Sequence, residues 1–206
     1  MCSTTHWEGY QLNEVLQNIL TRRSIRSYQK EQIADAELEA IIETARYAPS
    51  GSNSQSWHFS VVQSEEKLKQ LNICVREAFK KLVVDETTYR AKAAGKKAAE
   101  SNSYNFYYHA PTLIIVSNDR QYSNAMADSS LALQNIFLAA HSLHIGSCWI
   151  NQLAWFGDEP VVREVLMTLA IPKNYKVYGA AALGYISGNQ PKAAPRKEGT
   201  VSIIKS

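Results

Sequence analysis

Residues 125–145 set the terms on which this chain can fold. Between Ala125 and Ile145 run Leu131, Leu133, Ile136, Phe137, Leu138, Ala139, Ala140 and Leu143. Their spacing is helical, but the apolar side chains point in several directions instead of forming one stripe. A helix apolar on several faces must be covered on several faces. It is therefore either the centre of a domain or a contact between subunits. No apolar run reaches the roughly 18–20 residues needed to span a bilayer, so no membrane is expected to provide that cover. Gly146 reads as the cap of this helix, and Ser147-Cys148-Trp149-Ile150 as a strand running on from it.

The remaining periodicities supply elements to pack around it. Leu12, Val15, Leu16, Ile19 and Leu20 predict a helix over about 10–21 with one apolar stripe. A second helix starts near Asp35 as N-cap, with Glu37 and Glu39 in its first turn. It buries Leu38, Ile41, Ile42 and Ala45, and Pro49 and Gly51 end it. Trp57, Phe59 and Val61 alternate with His58, Ser60 and Val62, a strand pattern. Leu68, Leu71, Val75, Ala78 and Leu82 mark another amphipathic helix. Pro111–Val116 reads as a strand buried on both faces, followed by a turn at Asn118-Asp119-Arg120. Asp158 and Pro160 open a helix through Leu169, and Tyr175–Tyr185 is a Gly/Ala-rich strand that lets another group approach its backbone. Residues 85–105 stand apart. They are rich in Ala, Lys and Glu, Gly95 interrupts them, and few could serve a core. They read as a mobile, solvated helical excursion, with a lid over an active site as one role open to it.

A chain of 206 residues without repeat, low-complexity tract or linker predicts a single domain spanning 1–206. A net charge of +3 is too small to argue for nucleic acid or an anionic membrane surface. Cys2, Cys74 and Cys148 are odd in number and lack metal-ligand spacing, and His109, His141 and His144 match no metal pattern, so no metal site is expected. Unpaired cysteines fit a reducing compartment. Met1-Cys2-Ser3-Thr4-Thr5-His6-Trp7 has no basic segment leading into an apolar core, hence no signal peptide, and a cytoplasmic location is expected.

Two polar segments flank the second helix. Arg22, Arg23, Ser24 and Arg26 place three guanidinium groups and a hydroxyl within five residues, an inventory suited to a phosphate. Ser50, Gly51, Asn53 and Gln55 lie on a turn before a strand. Their amides and hydroxyls suit a heterocycle that both donates and accepts. The bland alternatives are solvated cations and an ordinary helix-stop turn.

Four blocks of the chain, in order, resemble the FMN-dependent nitroreductase family. They are Arg22-Arg23-Ser24-Ile25-Arg26; Ser50-Gly51-Ser52-Asn53-Ser54-Gln55-Ser56-Trp57; Gln134 through Ile150; and Gly184-Tyr185-Ile186 with Pro195-Arg196-Lys197. Ser56 stands where the family usually has Pro. The resemblance implies an α+β fold: a mixed, largely antiparallel sheet flanked by helices in an intertwined homodimer. It implies FMN as cofactor, with Arg22, Arg23, Ser24 and Arg26 at the phosphate and ribityl chain, joined by Arg196 and Lys197. Ser50, Gly51, Asn53 and Gln55 would reach the flavin from the partner subunit. Ile150, at the end of the third block, and Asn151 and Gln152 after it would reach the ring, with a backbone N–H facing N5. Asn151 replaces a common Gly, and its side chain is expected to narrow the substrate pocket.

The activity implied is an NAD(P)H-dependent oxidoreduction. NADH or NADPH reduces FMN, and a small-molecule acceptor, a nitroaromatic or quinone, takes the electrons in a ping-pong cycle. No catalytic acid or base is expected, because the cofactor carries the chemistry. Other readings stay open: dehalogenation, enone reduction or flavin fragmentation on the same scaffold, a non-catalytic flavin-binding redox sensor, or a structural dimer without flavin.

Overall fold

A computed structural model describes residues 12–205. The expected start of the first helix at 10–11, Cys2 and the N-terminal segment lie outside the described residues. The elements run α1 (Glu14–Thr21), α2 (Asp35–Arg46), β1 (His58–Val62), α3 (Glu65–Lys81), α4 (Arg90–Ala99), β2 (Thr112–Asp119), α5 (Ala125–Ser142), β3 (Ile145–Ile150), α6 (Gln152–Phe156), α7 (Pro160–Thr168) and β4 (Tyr175–Tyr185). Among the described residues no helix is long and apolar enough to cross a membrane.

The four strands form one sheet in the order β1-β2-β4-β3, and every pairing is antiparallel. The sheet is thus largely antiparallel, as expected from sequence, with a parallel bridge from Ser24 to Ser147 beside the four strands. Side chains alternate across the sheet. Leu113, Ile115, Ala180, Ala182 and Ile150 pack with α3, α6 and α7, while Ile114, Val116, Ala181 and Leu183 face α2 and α5. The Gly/Ala-rich β4 lies at the centre, where its small residues let helices approach both faces.

Helix α5 covers one face with Leu133, Ile136, Phe137 and Ala140. Helix α2 covers part of its outer side, with Asn135 donating to Thr44 O at 2.9 Å, and Asn18 of α1 donates to Leu138 O at 3.0 Å. Leu131 and Met126 remain exposed, as do Val15, Ile19 and Leu20 of α1. The stripe that suggested α1 is therefore unburied within one chain.

Several boundaries differ from expectation for local reasons. Helix α5 stops at Ser142 because His144 turns left-handed (φ 59°), and Gly146 is a strand residue, not a cap. Asn118 and Asp119 continue β2, paired with Lys176 and Tyr175, instead of turning. Ala34, not Asp35, caps α2: its N–H donates to the Glu37 carboxylate at 3.1 Å. Gly95 does not interrupt α4 but lies inside it, where Phe79 approaches the helix backbone. Ala99 is buried, and Tyr104 packs edge-on against Phe79 at 5.9 Å, so residues 85–105 do contribute to the core.

Candidate cofactor-binding site

The arginine segment leaves α1 and is laced onto the sheet. Ile25 N–H donates to Ser147 O at 2.8 Å, Gln29 N–H to Tyr185 O at 2.9 Å, and the Tyr28 hydroxyl to Ile25 O at 2.6 Å. Ile25 is buried, so the neighbouring side chains of this extended stretch face outward. Arg22 and Arg26 consequently flank Cys148 of β3. Burial pushes the Cys148 thiol pKa up, and the charges of Arg26 and Arg22 oppose that rise. Arg22 is half-buried, and burial, followed by the charge of Arg23, lowers its pKa. A partly desolvated guanidinium beside another cation, as Arg22 is beside Arg23, is stabilised by an anion. Arg26 also stands over the Tyr108 ring, 5.7 Å from its centroid. Arg23 turns back, donating to Leu20 O at 2.8 Å and Arg22 O at 2.7 Å. In one chain it therefore caps the end of α1.

Strand β3 carries this region to Ile150, Asn151 and Gln152. Asn151 does not project into open space. Its Oδ1 accepts from the Trp149 indole N–H at 2.6 Å, and its carbonyl accepts from Trp155 N–H at 2.9 Å. The side chain is tethered to the indole, which orients the Asn151 peptide. Gln152 reaches toward the Tyr104 hydroxyl at 3.5 Å, and burial pushes Tyr104 up to about 12. Tyr104 and Tyr108 thus stand beside Gln152 and Arg26. Sequence reasoning missed both, because they fall in or next to the segment set aside as solvated. Their signal was the aromatic cluster 104–108, too apolar for a free excursion.

The Ser50–Gln55 turn is built separately. Ser52, Asn53 and Gln55 all have left-handed backbones (φ 53°, 53° and 47°). Gln55 N–H donates to Ser50 Oγ at 3.1 Å, and Gln55 Nε2 donates to Asn53 Oδ1 at 2.8 Å. Asn53 and Gln55 are exposed. The turn rests on the first turn of α5, where the buried Asp128 carboxylate accepts from Gly51 N–H at 3.2 Å. The arginine segment meets the other end of α5: Thr21 Oγ1 and His141 Nε2 are 2.9 Å apart. Thirteen residues at 1.5 Å each separate Asp128 from His141, about 20 Å. One chain therefore keeps its two polar segments apart. Asp128 and Tyr122, which hold the turn, were also missed; a lone carboxylate opening an apolar helix was their sequence signal.

Arg196 and Lys197 are exposed, and the Arg196 guanidinium donates to Ala194 O at 2.8 Å, two residues away. One chain does not bring them to Arg22 and Arg26. Tested on its donor set, the site fits FMN. Arg22 and Arg26 supply fixed charge for a phosphate, and the region after Ile150 offers backbone donors. The Ser50–Gln55 turn offers exposed amides for a heterocycle.

A sequence model of the nitroreductase family matches residues 19–185. An Archaeoglobus fulgidus protein provisionally named NADH dehydrogenase/NAD(P)H nitroreductase is 34% identical over 179 residues, covering 84% of this chain and 86% of that protein. A Bacteroides fragilis nitroreductase crystallised with bound FMN superposes with a TM-score of 0.85 at 44% identity, covering 94% of this chain and all of that one. A Desulfitobacterium hafniense nitroreductase with bound FMN gives a TM-score of 0.78 at 28% identity over the same 94% of this chain.

Proposed function

The chain belongs to the nitroreductase family, and we propose that it is an FMN-dependent oxidoreductase that draws electrons from NADH or NADPH and delivers them to nitroaromatics or quinones. The observation that carries this reading is the arginine segment bonded along β3 through Ile25 and Ser147, which sets Arg22 and Arg26 near Cys148, three residues before Asn151. When bound, FMN supplies hydride acceptance at N5 and onward transfer to the second substrate in a ping-pong cycle.

The chain's own residues hold and orient. Arg22 and Arg26, with Ser24, bind the phosphate and ribityl chain. Arg23 and, from the tail, Arg196 and Lys197 add positive charge there. Trp149 fixes the Asn151 side chain, and so the peptide that presents an N–H toward N5, with Ile150 and Gln152 lining the approach. Tyr104 and Tyr108, beside Gln152 and Arg26, would shield a bound flavin from water. Segment 85–105 docks on α6, with Tyr89 edge-on to Trp155 at 6.3 Å and Lys92 5.0 Å from the Phe156 ring centroid, and would cover the site from that side. Ser50, Gly51, Asn53 and Gln55 meet the ring from a second subunit, making the homodimer the working unit. The FMN-bound relatives support the cofactor, and the NAD(P)H nitroreductase name of the archaeal relative supports the activity.

The test is flavin-loaded protein in steady-state NAD(P)H oxidation with and without a quinone or nitroaromatic. Acceptor-dependent oxidation at many turnovers is expected. Flavin binding without turnover by any acceptor would replace the enzyme with a redox sensor. Sedimentation at low micromolar concentration should show a dimer, and a stable flavin-loaded monomer would refute the shared site.

A further inference from the structure

We infer that Asp128, acting with Tyr122, is the positioning residue that holds the Ser50–Gln55 turn in the shape that meets the flavin ring. The inference rests on the flavin reading above, and concerns which groups make the turn competent. Asp128 is buried in the first turn of α5, on a helix face that otherwise presents Ala125, Ala132 and Leu133 to the core. Its Oδ2 accepts from Gly51 N–H at 3.2 Å, with Oδ1 at 3.3 Å from the same nitrogen. The Tyr122 hydroxyl lies 2.9 Å from Asp128 Oδ2 and 3.1 Å from Gly51 O, with one proton to give, and it accepts from Ser54 Oγ at 3.0 Å. The carboxylate therefore holds Gly51 N–H, the phenol links that carboxylate to Ser54, and Gly51 O accepts from Ser54 N–H at 3.0 Å.

Stability alone does not call for this arrangement. Apolar residues of similar volume usually serve a core at least as well as a buried charge. What the carboxylate adds is geometry. Three consecutive or near-consecutive non-glycine residues, Ser52, Asn53 and Gln55, are held left-handed, a conformation that persists only when its surroundings over-determine it. The fit is tight: a Cβ on Gly51 would lie 2.6 Å from the Tyr122 hydroxyl and 2.2 Å from Asn124 Nδ2. Release of Gly51 lets the turn relax, and Asn53 and Gln55 then lose their places.

The test is flavin titration of Asp128→Ala, Asp128→Asn and Tyr122→Phe as intact dimers, with FMN and riboflavin as probes and sedimentation run in parallel. Because the turn is assigned to the ring and not the phosphate, Asp128→Ala should weaken FMN and riboflavin by the same factor, about tenfold or more. The visible circular dichroism of bound flavin should change with it. Asp128→Asn should restore binding. Its amide can accept from Gly51 N–H and donate to Tyr122, which then gives its proton to Gly51 O. Tyr122→Phe, which removes only a hydroxyl, should show the same ring-specific loss if Asp128→Ala fails to fold. Parent-like affinity in Asp128→Ala or Tyr122→Phe would overturn the inference, as would a loss confined to FMN or one that tracks dissociation of the dimer. Failure of the parent to bind either flavin would instead overturn the functional reading beneath it.

Discussion

Gly95→Ala separates two accounts of residues 85–105 by the sign of one stability change. Within an exposed helix, replacing Gly by Ala stabilises by about 0.5–1 kcal/mol, because alanine restricts the unfolded chain and favours helix. A solvated excursion would show that gain. In the structure, however, the new Cβ would lie 2.7 Å from Phe79 Cζ and 3.0 Å from Cε1. Phe79 has nowhere to go. It is fully buried and set edge-on to Phe156 at 4.7 Å and to Tyr104 at 5.9 Å. Inserting a methyl into such packing costs about 1–3 kcal/mol. At the middle of each range the steric cost exceeds the propensity gain, leaving a net loss of about 1 kcal/mol. For a chain of this size that is a Tm lower by about 2–4 °C. Calorimetry on the purified protein is the assay, with the exposed Ala94→Gly as a propensity control that should cost about 0.5–1 kcal/mol. In a Phe79→Leu background the penalty of Gly95→Ala should shrink, since the two positions share one contact. A raised Tm for Gly95→Ala would refute the docking of α4.

Arg26→Ala should weaken FMN by roughly 10- to 150-fold while sparing riboflavin, because a hydrogen bond to a charged group is worth about 1.5–3 kcal/mol; equal losses by fluorescence titration would remove Arg26 from the phosphate. Arg196→Ala should likewise lose FMN on dialysis, with Lys192→Ala behaving like the parent, and unchanged retention would detach the tail from the site. His141 has a pKa lowered by burial first, then by Arg22, His144 and Arg23. A histidine depressed in the fold binds fewer protons than when unfolded, so its contribution to stability is present above about pH 6.5 and is lost as pH falls below it. FMN, but not riboflavin, should raise its NMR-determined pKa by placing a phosphate near Arg22, and no difference between the two ligands would contradict that placement.

Where periodicity was strong, the fold could be read before it was seen. The crowded apolar pattern of residues 125–145 does mark the helix packed across the sheet, and β4's small residues do mark its centre. The misreadings share one cause: local propensity was asked about groups whose state tertiary contacts decide. Gly146 and Gly95 look like breakers, yet each is glycine because another element comes close to its backbone. Asn118 and Asp119 look like a turn, yet partners across the sheet hold them extended. The tether of Asn151 was not legible, because nothing in a linear pattern shows that the indole two residues earlier captures it. Asp128 was legible only as an anomaly, a charge in an apolar helix, and its partner lies 77 residues away.

The same long helix explains why the candidate site looks half-built in one chain. Asp128 anchors the ring-directed turn at one end of α5, and His141 touches the start of the arginine segment at the other, about 20 Å away. A rigid helix holds its ends apart, which would favour a flavin site that draws its two segments from different chains. A second copy placed alongside in the opposite direction would bring the turn of one next to the arginines of the other, twice over, by two-fold symmetry. The unburied surfaces fit that arrangement. Val15 of α1 is 66% exposed, and Leu131 of α5 is exposed as well. The tail holds Val201, Ile203 and Ile204 at 77%, 76% and 88% exposure. Apolar surface left in water at three places is costly to a monomer. Cover by a partner would remove that cost, carry Arg196 away from its own chain, and complete two sites at once. On this account flavin affinity and dimerisation are one linked equilibrium: FMN should tighten the dimer, and dilution should release FMN. Sedimentation of apo and loaded protein across a dilution series measures both, and a dimer indifferent to FMN would break the link.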